Sequence, residues 1–196
     1  EMCIRDRDFA YWCERPFPWR RQLDDLAAEP GSPACIALTG GEPLLMADEA
    51  VAFFSRASEL FPAAHLRLYT SGDLLSRELI DRLVRAGLHE IRFSVKQDDK
   101  PELLEKVLER MAWAREQVPT VMVEMPVIPG TDSFMKELLA KLDALGVDGV
   151  NLLEFAYAMW NWPVFESLGL TLRNPPQQVM FDYTYAGALA VQDSEE

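Results

Sequence analysis

Short apolar runs and amphipathic stretches alternate along the chain from about residue 20 to residue 155. Five runs read as buried strands, at 34–38, 66–70, 90–95, 121–125 and 149–153. Between and before them lie stretches with helical spacing, at roughly 20–28, 47–60, 76–86, 101–117 and 133–145. The second of these carries Ala50, Phe53, Phe54, Ala57 and Leu60 on one stripe. Ser76 and Ser133 stand where N-caps belong, because a side-chain oxygen there accepts from an otherwise unpaired backbone N–H.

A weak internal repeat supports this reading. Leu83-Val84-Arg85-Ala86-Gly87-Leu88-His89-Glu90-Ile91-Arg92-Phe93 parallels Leu142-Asp143-Ala144-Leu145-Gly146-Val147-Asp148-Gly149-Val150-Asn151-Leu152. In each copy a helix stops at a glycine suited to the left-handed C-cap, and a strand follows within a few residues. Strand–helix units with short links require parallel strands and right-handed crossovers. Five such units predict an α/β fold that is part of a (β/α) barrel rather than a small open sheet. The pattern changes after residue 155: 156–163 is aromatic and methionine-rich, and Asn174-Pro175-Pro176 interrupts any periodicity. Residues 156–196 are therefore expected to form a C-terminal extension that crosses or caps the barrel, and it ends without a stop-like feature.

In β/α barrels the site lies at the carboxyl ends of the strands. Each predicted strand here ends in polar residues: Thr39-Gly40-Gly41-Glu42, Thr70-Ser71-Gly72, Ser94-Val95-Lys96, Glu124 with Pro126-Val127-Ile128-Pro129-Gly130, and Asn151 with Glu154. One rim lined by hydroxyls, amides, acids and a lysine suits a nucleoside-sized ligand. Asn151 and Glu154 are expected to face a substrate, with pairing of Glu154 to an arginine as the alternative.

Composition narrows the class. The chain has 196 residues, 49% hydrophobic and 26% charged, which suits one domain with a substantial core. No run approaches the roughly 18 apolar residues of a membrane span. The net charge of −13 argues against a nonspecific nucleic-acid surface, which needs a basic footprint. Three cysteines do not make a disulfide framework, and a reduced, cytoplasmic setting is the default. Cys35 sits within a strand and is expected in the core. His65 and His89 flank strand starts, away from the rim, and neither is expected to bind a ligand.

Thr39-Gly40-Gly41-Glu42-Pro43 is the most informative turn. Two glycines let the backbone turn tightly and approach a ligand, and a carboxylate follows at once. Bare backbone plus one acid is well made to hold an amine. The run resembles the GGEP element of radical S-adenosylmethionine (SAM) enzymes. Leu68-Tyr69-Thr70-Ser71-Gly72 resembles their T-N-G turn, and Ile91-Arg92-Phe93-Ser94-Val95-Lys96 their fourth strand, with Lys96 where an acid is usual. Val127-Ile128-Pro129-Gly130-Thr131-Asp132 resembles the segment that passes adenine. The likeness is nearest to radical SAM proteins related to glycyl-radical and pyruvate formate-lyase activating enzymes. It implies a partial barrel of the radical SAM type over residues 8–155. It also implies an enzyme that reductively cleaves SAM at a [4Fe-4S] cluster to a 5′-deoxyadenosyl radical. Gly40, Gly41, Glu42, Thr70, Ser71 and Ser94 would bind SAM, and Glu154 and Lys96 are candidates for catalysis. Further implied are a small-molecule or peptide substrate and a reductant such as flavodoxin or ferredoxin.

The family's C-x3-C-x2-C cluster loop is missing. Cys13 follows an aromatic residue, as the last cluster cysteine usually does, but residue 10 is Ala and residue 6 is Asp. The opening Glu1-Met2-Cys3-Ile4-Arg5-Asp6 resembles a translated sequencing adapter, as in a metagenomic assembly, so residues 1–7 are set aside. Either the first strand and cluster loop lie upstream of the chain, or Cys13 belongs to a divergent loop. The chain alone is expected to be inactive. Two other classes remain open: a cluster-free binding or scaffold barrel, and a lyase or aldolase with Lys96 as Schiff-base amine and Glu124 as its acid/base partner.

Overall fold

The computed structural model describes residues 19–95, 101–157, 162–173, 178–182 and 185–194. Five parallel strands form one sheet in the order in which they occur: β1 (Cys35–Leu38), β2 (His65–Thr70), β3 (Glu90–Ser94), β4 (Thr120–Val127) and β5 (Gly149–Glu154). Five helices accompany them: α1 (Trp19–Ala28), α2 (Ala47–Leu60), α3 (Arg77–Arg85), α4 (Pro101–Arg115) and α5 (Asp132–Leu145). Each strand neighbours the next in sequence, so every crossover turns the same way and the helices gather on one face. This arrangement is the expected part of a barrel, with no reversal of strand order.

Burial follows the period of two. Leu66 and Leu68, Ile91 and Phe93, Val121, Val123 and Met125 are buried under the helices. The helices answer with Phe53, Phe54 and Ala57, then Leu79, Ile80 and Leu83, then Leu104, Val107, Leu108 and Met111, then Leu138 and Leu142. All of these belong to one apolar cluster. The intervening sheet residues, from Arg67 and Tyr69 to Arg92 and Glu124, project to the helix-free face.

The expected caps hold at α3 and shift at α5. Ser76 Oγ accepts from Leu79 N at 3.1 Å. Helix α5 starts at Asp132, so Ser133 lies inside the first turn; Thr131 takes the cap position and its hydroxyl donates to Ile128 O instead. At the far end of α5, Gly146 adopts the left-handed conformation at φ 69°.

Cys35 is exposed, contrary to expectation. It opens the edge strand β1 on the helix-free face, where no strand among the described residues pairs beyond it. An apolar strand context predicts burial only where both flanks are covered.

The chain after β5 forms β6 (Ala156–Tyr157), α6 (Trp162–Ser167), β7 (Gln178–Asp182) and β8 (Tyr185–Ala190). The three strands make a small antiparallel sheet in the order β6–β8–β7. It folds back on the end of β5: Val191 N and Ser194 Oγ both donate to Phe155 O. Phe155 and Val191 share a small apolar cluster with Ile128, Leu170 and Leu172. Among the described residues no helix is long and apolar enough to cross a membrane.

Candidate functional site

The turn after β1 is built by its glycines. Gly40 and Gly41 take φ of 102° and 50°, a region open to glycine and costly for other residues. The 3₁₀ turn Pro43–Met46 follows, with Glu42 at its N-cap. Glu42 is tied across to the turn after β2. Its Oε1 accepts from Leu44 N at 3.0 Å and from the Thr70 hydroxyl at 2.7 Å. Its Oε2 accepts from Ser71 N at 2.7 Å and from the Ser71 hydroxyl at 2.8 Å. Gly40, Gly41, Glu42, Thr70 and Ser71 are therefore brought together from two strand ends. Ser94 ends β3 at the same rim and is exposed.

Thr70 and Ser71 differ in access. Thr70 is 2% exposed, and its Oγ1 also accepts from Gly72 N at 3.0 Å. Ser71 is half-buried at the surface of the turn. Gly72 has φ 84°, and a Cβ there would lie 2.8 Å from two ring carbons of Phe93.

The helix-free sheet face carries a polar network in which Ser94, Glu124 and Asn151 are the expected rim residues, whereas sequence reasoning did not assign Arg67, Tyr69, Glu90 and Arg92 to the site. Strand register stacks its side chains in rows: Arg67 with Glu90, Tyr69 with Arg92 and Met122, then Ser94 with Glu124 and Asn151. Arg92 Nε donates to Glu90 Oε1 at 2.5 Å, and Arg92 Nη1 to Glu124 Oε1 at 2.7 Å. Asn151 Nδ2 donates to the same Glu124 oxygen at 3.2 Å. Arg67 Nε lies 2.9 Å from Glu90 Oε1, and His65 Nε2 lies 2.6 Å from Glu90 Oε2. The Arg92 guanidinium also sits 5.6 Å from the Tyr69 ring centre. The strict alternation in His65-Leu66-Arg67-Leu68-Tyr69 and Glu90-Ile91-Arg92-Phe93-Ser94 was the available signal.

Burial by itself pushes the Glu90 carboxyl up. The hydrogen bonds from Arg92 and His65 and the charges of Arg92 and Arg67 outweigh it, so Glu90 titrates below its ordinary value. Burial likewise opposes the charged form of Arg92, but its bonds to Glu90 and Glu124 win and hold the guanidinium firmly protonated. The network therefore sets Arg67 and Arg92 in ion pairs with Glu90, and Arg92 in a further pair with Glu124.

The remaining candidates divide. Glu154 pairs with Arg173 of the C-terminal segment. Register opposes Glu124 to Asn151 and Val127 to Glu154, which puts Asn151 on the helix-free face and Glu154 on the other. Lys96 and Cys13 lie outside the described residues, as do residues 1–7. His65 and His89 stack at 5.6 Å at the amino ends of their strands, and His89 Nδ1 accepts from Leu66 N. Among the described residues no group of three or more His, Cys, Asp or Glu could hold a metal ion.

A family model described as the Radical SAM superfamily matches residues 19–142, well over half of the chain. The chain belongs to the Radical SAM superfamily. A protein of Methanocaldococcus jannaschii, provisionally named a glycyl-radical enzyme activating enzyme, is 27% identical over 128 residues. That alignment covers 62% of this chain and 34% of the relative. Among solved structures, native anSMEcpe with bound AdoMet superposes with a TM-score of 0.54 at 16% identity, covering 69% of this chain and 41% of that one. The same protein with bound AdoMet and Cp18Cys peptide gives the same TM-score and identity, with 42% of its chain covered. These likenesses show the radical SAM fold. The chain spans about a third of the curated relative and about two fifths of the solved structures it matches.

The superfamily match contains the Gly40-Gly41-Glu42 turn, the Thr70-Ser71-Gly72 turn and Ser94. The acceptors at the rim, an oriented carboxylate beside backbone freed by two glycines, suit an ammonium group once one of the donors now on the carboxylate gives way. The described residues supply no ligand set for a [4Fe-4S] cluster, since Cys35 is the one cysteine among them.

Proposed function

We propose that this chain carries the SAM-binding part of a radical SAM enzyme, with Glu42 receiving the ligand's ammonium group. The observation that supports this most is the fixed Glu42 carboxylate at the carboxyl rim, held by donors from a second strand end. Gly40 and Gly41 leave backbone open for close approach. Ser94, exposed at the end of β3, is placed to meet the ribose or carboxylate. A [4Fe-4S] cluster, for which the described residues supply no ligands, would be what lets bound SAM yield a 5′-deoxyadenosyl radical for hydrogen abstraction; the residues named here would hold only the SAM part of that site. The charged face bearing Arg92, Glu124 and Asn151 runs up to that rim, where Glu124 and Asn151 share a row with Ser94, and would form a polar floor for the substrate. A polypeptide is the substrate class we favour, on the name of the M. jannaschii relative and the peptide bound to the second solved neighbour. The reductant would be a low-potential carrier such as flavodoxin or ferredoxin.

Equilibrium dialysis with radiolabelled SAM tests the reading on this chain. Saturable binding is expected, and Glu42→Ala should weaken it about tenfold or more, the worth of one charge-assisted hydrogen bond. Absence of saturable binding, or equal binding by Glu42→Ala, would overturn it.

A further inference from the structure

Glu42 presents a counting problem. A carboxylate accepts about four hydrogen bonds, and the described residues already supply four: Leu44 N, the Thr70 hydroxyl, Ser71 N and the Ser71 hydroxyl. An incoming ammonium must therefore displace a donor. The two backbone amides are fixed by their turns. Thr70 is buried to 2% exposure, and its hydroxyl is used twice, donating to Glu42 and accepting from Gly72 N. Its proton is committed to Glu42, and its burial leaves no open approach for a ligand. The Ser71 hydroxyl is half-buried at the turn surface, and its second contact, from Asp73 N, is long at 3.4 Å. It can rotate away at little cost.

We propose that Thr70 is a positioning residue that holds Glu42 for the ammonium without touching the ligand, and that the Ser71 hydroxyl is the donor the ammonium displaces. This rests on the SAM reading of the same turn. It assigns the two neighbouring hydroxyls opposite effects. Removing the Thr70 hydroxyl frees Glu42 Oε1 from one of its two donors and lets the carboxylate leave the ammonium position. Removing the Ser71 hydroxyl vacates that position in advance.

The test compares SAM with 5′-methylthioadenosine, which keeps the nucleoside and lacks the amino-acid part. Dissociation constants are measured for the wild-type chain, Thr70→Val, Thr70→Ser and Ser71→Ala. Thr70→Val should weaken SAM binding about tenfold and leave methylthioadenosine within about twofold. Thr70→Ser should restore SAM binding, since the hydroxyl returns. Ser71→Ala should bind SAM at least as tightly as wild type. A merely structural Thr70 would weaken both ligands together. Hydrogen exchange at the Ser71 and Leu44 amides gives a ligand-free readout, faster in Thr70→Val and near wild type in Thr70→Ser. Equal SAM affinity in Thr70→Val and wild type, or loss of SAM binding in Ser71→Ala, overturns the proposal while leaving the SAM reading intact. A wild-type chain that binds methylthioadenosine but not SAM overturns both.

Discussion

Replacing Arg92 by methionine should expose what the charged sheet face costs and contributes. Methionine keeps an unbranched apolar stem and lacks the guanidinium, so the change removes the charge, two directed hydrogen bonds and the contact with the Tyr69 ring. Arg92 is 17% exposed, Glu124 16% and Glu90 6%, so the pairs are largely withdrawn from water. Removing one partner of a buried pair typically costs about 3–5 kcal/mol. Here Arg67 and His65 still face Glu90, and Asn151 still donates to Glu124. The expected destabilisation at neutral pH is therefore smaller, about 2–3 kcal/mol. Urea unfolding of wild type, Arg92→Met, Glu124→Gln and the double variant measures it as a cycle. Because the neutral amide introduced by Glu124→Gln needs no counter-charge, the second change should cost less in the Arg92→Met background, with a coupling of about 1–2 kcal/mol. The loss should also depend on pH. Glu90 titrates below its ordinary value in the fold, so as pH falls the unfolded chain takes up the proton first and the fold loses stability. Arg92→Met weakens that depression, and the two stability curves should converge in acid. Costs additive within about 0.5 kcal/mol, or a difference unchanged between neutral and acid pH, would refute the network as an energetic unit.

Glu90→Gln follows from the same sign: it should flatten the acid-side fall in stability, measured by urea unfolding between about pH 3 and pH 7, and an unchanged slope would show that Glu90 does not carry it. Gly72→Ala should lower stability by about 2–4 kcal/mol, because φ is 84° and the new Cβ would press within 2.8 Å of the fully buried Phe93 ring. A shift in urea midpoint equivalent to less than about 0.5 kcal/mol would mean that the turn and ring relax freely.

The sequence by itself determined the elements and their kind. Every strand from β1 to β5 and every helix from α1 to α5 lies within a few residues of its expected span, because each rests on local periodicity and on stops such as Gly87 and Gly146. Short strand–helix links then left parallel neighbours as the economical topology. The chemistry of the rim was legible for the same reason: Gly40, Gly41 and Glu42 form a local turn whose backbone demands are written in residue type. Tertiary structure alone decided what meets across the chain. Thr70 and Ser71 reach Glu42 from 28 and 29 residues away, and nothing local announces that bond or its saturation of the carboxylate. Register decided that Arg92 bridges Glu90 and Glu124, since a slip of one residue would have turned it to the helices. It also separated Asn151 from Glu154, which stand three apart on a strand with a period of two. Cys35 is exposed for a non-local reason as well: its strand is apolar, but it lies at the edge of the described sheet. Local propensity acts through neighbours a few residues away, whereas burial, pairing and charge compensation depend on partners that only folding brings near.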